Sequence, residues 1–118
     1  MDVATVLNAA ADLIEPEGRW TQGTLARDKA GLAVYNPDDA EAYCWCVAGA
    51  LQHVTGGGWS DADFDIYHAS RRAVLVAVGM DENDSIAIWN DAPKRTQAEV
   101  VAAIRQAAQR AKEAGHGG

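Results

Sequence analysis

The chain is poor in the residues that build disulfide-linked or nucleic-acid-binding domains. Its 118 residues include two cysteines, three prolines and one phenylalanine. The cysteines, Cys44 and Cys46, are one residue apart, whereas a disulfide framework needs well-separated pairs. Lysine and arginine total 10 against 17 aspartates and glutamates, a formal net charge of -7. Because such a charge repels phosphate backbones, we do not expect extensive nucleic-acid binding.

Long apolar runs are also absent from the sequence. No stretch approaches the roughly 18 residues that cross a bilayer, and the first residues lack the basic segment of a secretory signal. We therefore expect a cytoplasmic protein that does not enter a membrane. The length and the 48% hydrophobic content are typical of one globular domain. We place this domain at residues 1–112, followed by a frayed tail at residues 113–118.

Helical periodicity and capping residues predict a mainly α fold, a bundle of four main helices. The predicted helices are Val3–Ile14 behind an Asp2 N-cap, Pro37–Val54 behind Asn36, a segment from Ser60 to Gly79, and a last helix from a Thr96–Glu99 capping box. Two short extended runs around Asp28-x-x-Gly31 predict a β-hairpin after the first helix. Residues 73–78 are apolar enough to form a strand, so an α+β fold stays open as the alternative.

Glycine and cysteine positions in the second predicted helix carry two further expectations. Gly49 costs up to about 1 kcal/mol relative to alanine inside a helix, which indicates close approach of a neighbouring element. Residues i and i+2 point about 200° apart around a helix, so Cys44 and Cys46 would not face one ion. A metal between His53 and His68 would lack further ligands nearby other than Asp61 or Asp65, and His68 has no nucleophile partner as a base. We therefore predict no metal, no cofactor and no catalytic residue.

Two polar clusters beside tryptophans contain the candidate binding residues. The candidates are Trp20, Gln22, Arg27, Asp28, Trp45, Trp89, Asn90, Asp91 and Arg95. Tryptophan combines a broad apolar face with one N–H donor, and beside such polar groups it suits a pocket for a planar ligand. The alternative is structural: Trp20 and Trp89 fill the core, Arg27 pairs with Asp91, and Asn90 satisfies a turn.

The same positions resemble an uncharacterised family of small proteins from actinobacteria, other bacteria and tailed phages. The matching segments are Trp20-Thr21-Gln22-Gly23, Ala26-Arg27-Asp28 with Gly31, residues 42–51 (AYCWCVAGAL), Trp89-Asn90-Asp91, and Arg95-Thr96-x-x-Glu99-Val100. The resemblance extends from about residue 5 to residue 108. It implies an accessory role in a phage or prophage, and no established activity, cofactor or catalytic residue.

Three functions remain open at this point. The first is a non-enzymatic accessory protein, a monomer or homodimer, that binds a protein partner through an exposed tryptophan or apolar patch. The second is a binder of a small nucleotide-like ligand, in a pocket between the hairpin and Trp89-Asn90-Asp91 with an inward-pointing arginine such as Arg27. The third is an enzyme with Asp28 or Asp91 as a base, or His68 in that role.

Overall fold

The structure, a computed structural model, describes residues 2–56 and 60–117, with side chains through residue 114. These residues form five helices and a small sheet: α1 (Val3–Ile14), β1 (Ala26–Arg27), β2 (Ala33–Val34), β3 (Cys44–Trp45), α2 (Val47–Val54), α3 (Asp61–Ala77), α4 (Ile86–Asn90) and α5 (Gln97–Gly117). The sheet is antiparallel in the order β2-β1-β3. The predicted mainly α class with a small β element is confirmed.

Helix α1 forms the centre of the core. Its N-cap is Asp2, whose Oδ1 accepts a hydrogen bond from Thr5 N at 2.8 Å, as the sequence predicts. The apolar stripe of α1 packs mainly against α5 and α2. Its buried residues are Val6, Leu7, Ala10, Ala11 and Ile14.

The predicted hairpin is also confirmed. Strands β1 and β2 pair with Ala26 opposite Val34 and Arg27 opposite Ala33. Asp28 closes the turn, because its Oδ1 accepts hydrogen bonds from the backbone N–H groups of Ala30 and Leu32, both at 2.9 Å. The turn is therefore held by a side chain adjacent to β1.

The prediction that the helix ending at Val54 begins at Pro37 is wrong. Residues 44–45 form β3, which pairs with β1, and α2 begins only at Val47 with Cys46 as its N-cap. Tyr43 N donates to Arg27 O at 2.8 Å and Cys46 N donates to Leu25 O at 3.2 Å. The open edge of β1 thus satisfies backbone groups that an isolated helix would have satisfied internally, and this long-range pairing outweighs the local helical pattern. The predicted end at Val54 is correct.

Gly49 lies where α2 approaches the segment before β1. A Cβ atom at this position would overlap the carbonyl oxygen of Leu25 and lie 2.8 Å from its carbonyl carbon. The close approach predicted for this glycine is therefore confirmed. This contact packs α2 directly against the residue that precedes β1.

Helices α3 and α5 begin at predicted caps. Ser60 Oγ accepts from Asp63 N at 3.0 Å, and α3 continues to Ala77, so residues 73–77 are helical. Thr96 and Glu99 form the capping box, each backbone N–H donating to the other side chain at 3.2 Å. Residues 86–90, to which the sequence pattern assigns no structure, form α4. Helix α5 extends to Gly117, into the segment predicted as a tail, and the domain boundary at residue 112 stays a prediction.

Helix α5 also caps the end of α1. Gln97 Nε2 lies 2.7 Å from Ile14 O, 3.1 Å from Glu15 O and 2.7 Å from Pro16 O. The Ile14 and Glu15 carbonyls have no further helical turn to accept from, and the two amide hydrogens of Gln97 supply donors for them, while Pro16 O also accepts from Arg19 N at 3.1 Å. Within residues 2–56 and 60–117, no helix is long and apolar enough to cross a membrane.

Candidate functional site

Asn90 is the centre of a buried hydrogen-bond network. It ends α4 and is completely buried. Its Oδ1 accepts from Trp20 Nε1 at 2.8 Å and from Val47 N at 3.1 Å, while its Nδ2 donates to Thr21 O at 3.1 Å and to Asp91 Oδ1 at 2.9 Å. A primary amide offers two acceptor and two donor positions, and all four are used. Asn90 therefore links α4, α2 and the segment before β1.

Gln22 and Asp91 reinforce this link. Gln22 Nε2 donates to Asn90 O at 2.9 Å and to Ala92 O at 3.2 Å. Asp91 Oδ1 also accepts from Gly23 N at 3.0 Å. Two segments roughly seventy residues apart in sequence are thus held together by both side-chain and backbone groups. We call the hydrogen-bonded set Trp20, Gln22, Asn90 and Asp91 the asparagine network.

Arg27 and Asp28 serve the hairpin itself. Arg27 Nε donates to Thr21 Oγ1 at 2.9 Å, and its two terminal nitrogens donate to Gly31 O and Gln22 O, both at 3.1 Å. The alternative in which Arg27 pairs with Asp91 is therefore replaced by bonds within the hairpin and the preceding segment. Asp28 closes the hairpin turn as described above.

The remaining aromatic candidates lie in the core. Trp45 is 5% exposed and donates from Nε1 to Pro37 O at 2.8 Å. Trp89 is 8% exposed, and the guanidinium carbon of Arg95 lies 4.3 Å from the centre of its ring. Arg95 also donates to Trp89 O at 3.0 Å and pairs with Glu99 at 3.3 Å. These indole faces and this guanidinium are used in internal contacts, which is the structural alternative stated above for the tryptophans.

A cavity of about 220 Å³ opens beside the asparagine network. It lies between the segment before β1, the start of α2, and α4, which is the location predicted for a pocket between the hairpin and Asp91. Its lining residues are Gly23, Thr24, Leu25, Cys46, Ala48, Ala87 and Asp91. Arginine does not appear among these described lining residues, so the cavity lacks the inward-pointing arginine predicted for a nucleotide-like ligand.

Cys46 lines this cavity with a neutral thiol. Burial raises the pKa of the Cys46 thiol, backbone N–H groups of Gly49 and Ala48 act in the opposite direction, and the charge of Asp91 raises it further. Its Sγ accepts from Gly49 N at 3.4 Å. A thiol with a raised pKa is a weak nucleophile at neutral pH.

The extended conformation at Cys44 removes the helix-geometry argument against a metal site. A strand places residues i and i+2 on the same side, unlike a helix. The structure nevertheless shows no group of three or more histidine, cysteine, aspartate or glutamate side chains arranged to hold a metal ion among residues 2–56 and 60–114.

His68, the alternative base, lies on α3 among aromatic and basic neighbours. Its Nδ1 is 3.3 Å from Arg71 Nε, and the rings of Phe64 and Tyr67 lie 4.3 Å and 5.0 Å from its own, between centroids. The pKa of His68 is lowered by partial burial and by the positive charges of Arg71 and Arg72. Its hydrogen-bond partner is thus a cation and not a nucleophile.

An exposed apolar and acidic surface lies on the opposite edge of the sheet. Leu32 is 68% exposed and Tyr35 is 90% exposed, flanking β2. The following turn exposes three carboxylates, Asp38, Asp39 and Glu41. We call these five residues the hairpin face. Sequence reasoning missed Leu32 and Tyr35 as site residues, although two bulky apolar side chains beside a run of acids are a visible signal.

The acidic part of the hairpin face is anchored to the helical body. His53 Nδ1 lies 3.0 Å from Pro37 O and 3.2 Å from Asp38 Oδ1, and Trp45 donates to the same Pro37 carbonyl. Pro37 is itself buried. The turn therefore presents its carboxylates from a fixed backbone.

These features define a small, mainly helical protein in which the asparagine network joins a three-stranded sheet to the helices. The chain belongs to a family of unknown function (DUF6197), whose family model matches residues 1–110. No curated protein and no solved structure matches it. The expected resemblance to an uncharacterised family is thus confirmed at the level of family membership, and the match assigns no activity.

Proposed function

We propose that this protein is a non-enzymatic accessory protein of bacteria or their phages that binds a partner protein through the hairpin face. The observation that carries the proposal is the exposure of Leu32 and Tyr35 on either side of an edge strand. Single exposed apolar residues are common, but here two flank a strand whose outer backbone groups face away from β1. Such an edge favours pairing with an extended segment of another protein.

The charge of the hairpin face indicates the chemistry of the partner. Asp38, Asp39 and Glu41 are exposed directly after the apolar part of the face. An extended segment with apolar side chains followed by lysine or arginine would complement both parts. The acidic whole chain adds long-range attraction for a basic partner. We therefore expect binding that weakens as the salt concentration rises.

The setting we propose is the cytoplasm, with the protein as a monomer or homodimer. Two free cysteines, both buried, support a reducing compartment. The phage or prophage setting is supported by the residue pattern of the W-T-Q-G, A-R-D, C-W-C-x-x-G-A-L, W-N-D and R-T-x-x-E-V segments. A nucleotide-sequestering function is less supported, because the polar and aromatic groups of Arg27, Trp89 and Arg95 make contacts within the protein.

The test compares two matched surface variants with the unmodified protein. In the first, Leu32→Ser and Tyr35→Ser are combined. In the second, Ile88→Ser changes an equally apolar side chain on α4 that is 71% exposed. Each is immobilised and exposed to a lysate of the native organism, and retained proteins are quantified by mass spectrometry. Urea unfolding first establishes that both variants remain folded.

The proposal expects a specific difference between the variants. A protein retained by the unmodified chain and by Ile88→Ser, lost with the double variant, and released by salt would support it. Its interacting segment, made as a peptide, should then broaden or shift the resonances of residues 32–35. Retention of the same proteins by all three forms would contradict the proposal.

A further inference from the structure

The cavity beside Asp91 has a size and polarity that indicate a particular ligand chemistry. Its volume of about 220 Å³ is below the roughly 300–1,000 Å³ of sites for drug-sized ligands. Leu25, Ala48 and Ala87 supply apolar walls, and Asp91 supplies the carboxylate in the lining. A small ligand with an apolar body and one positive end matches these walls. We propose that this cavity binds a small primary amine.

The Asp91 carboxylate is oriented before any ligand arrives. Its Oδ1 accepts from Gly23 N at 3.0 Å and from Asn90 Nδ2 at 2.9 Å. No hydrogen bond from residues 2–56 and 60–114 reaches its Oδ2, so this oxygen remains for an ammonium group. Because the network fixes the side chain, binding does not pay for ordering it.

The other polar side chains of the lining are uncharged, so Asp91 supplies the one charge among the lining residues that the structure describes. The Cys46 thiol stays neutral because burial raises its pKa, and the Thr24 hydroxyl accepts as well as donates. Arg27, the expected anion contact, donates instead to Thr21, Gln22 and Gly31. The cavity therefore reverses the charge preference expected for a nucleotide-like ligand. It shares no residue with the hairpin face, so this proposal stands apart from protein binding.

The experiment is a protein-observed NMR titration with three molecules of nearly equal size. They are n-butylammonium, 1-butanol and butyrate, which differ in charge at one end. The proposal expects saturable shifts in the amides of residues 23–25, 46–48 and 87–91 with n-butylammonium, weaker ones with 1-butanol, and none with butyrate. Exposed ion pairs contribute modestly, so the amine should bind about two- to fivefold more tightly than the alcohol.

Three variants separate the site from general charge effects. Asp91→Asn keeps the Oδ1 acceptor and should abolish the difference between amine and alcohol. Glu82→Gln removes one exposed negative charge outside the cavity and should leave that difference intact. Ala87→Leu fills the cavity from an exposed helical position and should abolish binding of both molecules.

Several outcomes would overturn the proposal. These are butyrate binding as tightly as the amine, shifts spread over the surface, or no shift with n-butylammonium at concentrations up to its solubility limit. An amine preference that survives Asp91→Asn in a variant with an otherwise unchanged spectrum would also overturn it.

Discussion

Replacing Asn90 with alanine tests whether the asparagine network holds the fold together. The substitution removes the acceptor of Trp20 Nε1 and of Val47 N, and the donor to Thr21 O and to Asp91 Oδ1. Val47 N belongs to the first turn of α2 and is fully buried, so water does not readily replace its partner. Trp20 and Thr21 are half-buried, and water satisfies them in part. Asp91 is exposed, so water also replaces its lost donor. The loss is therefore larger than one hydrogen bond but smaller than four complete ones.

The expected size follows from the cost of an unpaired buried group. Each costs about 1–3 kcal/mol, so we expect Asn90→Ala to lower the free energy of unfolding by about 2–5 kcal/mol. Domains of this size are stable by roughly 5–15 kcal/mol, so the change is a large share of the total. The matched control is Asn83→Ala, at an exposed loop position, which should change stability by no more than about 0.5 kcal/mol.

Urea unfolding followed by circular dichroism at 222 nm measures both values. A decrease below about 1 kcal/mol for Asn90→Ala would refute the argument that these bonds hold α4, α2 and the sheet together. A loss of equal size in Asn83→Ala would also refute it, because that side chain lies outside the network.

A second substitution at the same position adds a pH dependence with a definite sign. Asn90→Asp keeps one acceptor oxygen but puts a second oxygen in place of the amide nitrogen, where it faces the oxygen atoms Thr21 O and Asp91 Oδ1. Burial and the neighbouring carboxylate raise the pKa of the new carboxyl in the folded state above the ~3.9 of the unfolded chain. The unfolded chain then releases this proton first as pH rises. Relative to the unmodified protein, the variant should lose stability as pH rises above about 4.

Four further predictions concern other parts of the fold. Gly49→Ala should lower the free energy of unfolding in urea by about 1–3 kcal/mol, despite the better helix propensity of alanine, because its Cβ would overlap the carbonyl before β1; an unchanged value would contradict that contact. Gln97→Glu should destabilise the protein more than Gln97→Ala, because a carboxylate would face the three carbonyl oxygens at the end of α1; equal urea midpoints would contradict this. Cys46, in a variant whose other cysteine is alanine, should react with iodoacetamide at pH 7 at least about tenfold more slowly in the folded protein than in urea, because burial raises its pKa and shields it. The NMR titration midpoint of His68 should lie below the ordinary 6.5 and rise in Arg71→Gln; since its pKa is lower in the folded state, its contribution to stability should increase with pH through the interval just below 6.5.

Local signals were sufficient to predict most of the helices. Asp2, Ser60 and Thr96 each cap a helix through a bond to a residue three positions away, so their effect is visible within a few letters of sequence. The hairpin was predictable for the same reason, because Asp28 closes its own turn. Gly49 indicated the close approach of another element but not which one.

The strand β3 was not predictable from local pattern. Residues 40–51 have apolar positions at helical spacing, and this pattern predicts one long helix. The decisive interaction is the backbone pairing of residues 26–27 with 44–45, which depends on β1 being available at that place. Pairing between segments this far apart overrides a weak helical preference, and a single sequence does not reveal it.

The residue pattern singled out two polar clusters as candidate sites, but not the bonds that join them. Trp20 and Gln22 belong to one cluster and Asn90 and Asp91 to the other, and hydrogen bonds connect the two clusters in the structure. A tryptophan N–H can donate to a ligand or to a buried asparagine, so the residue types alone do not decide between the two. The choice between them depends on whether Asn90 is enclosed, which is a property of the complete fold.

Because Asn90 is completely buried, a function of this protein depends on neighbouring surfaces and not on Asn90 itself. An amide with all four hydrogen-bond positions filled by protein has none left for a ligand, so the network acts by holding other groups in place. One such group is the Asp91 carboxylate at the mouth of the cavity, and another is the segment that enters β1. Substitutions that remove the Asn90 hydrogen bonds should therefore impair cavity and hairpin face together through loss of structure. Substitutions at Ala87 or at Tyr35 should each affect one surface alone, which makes them the informative positions for assigning function.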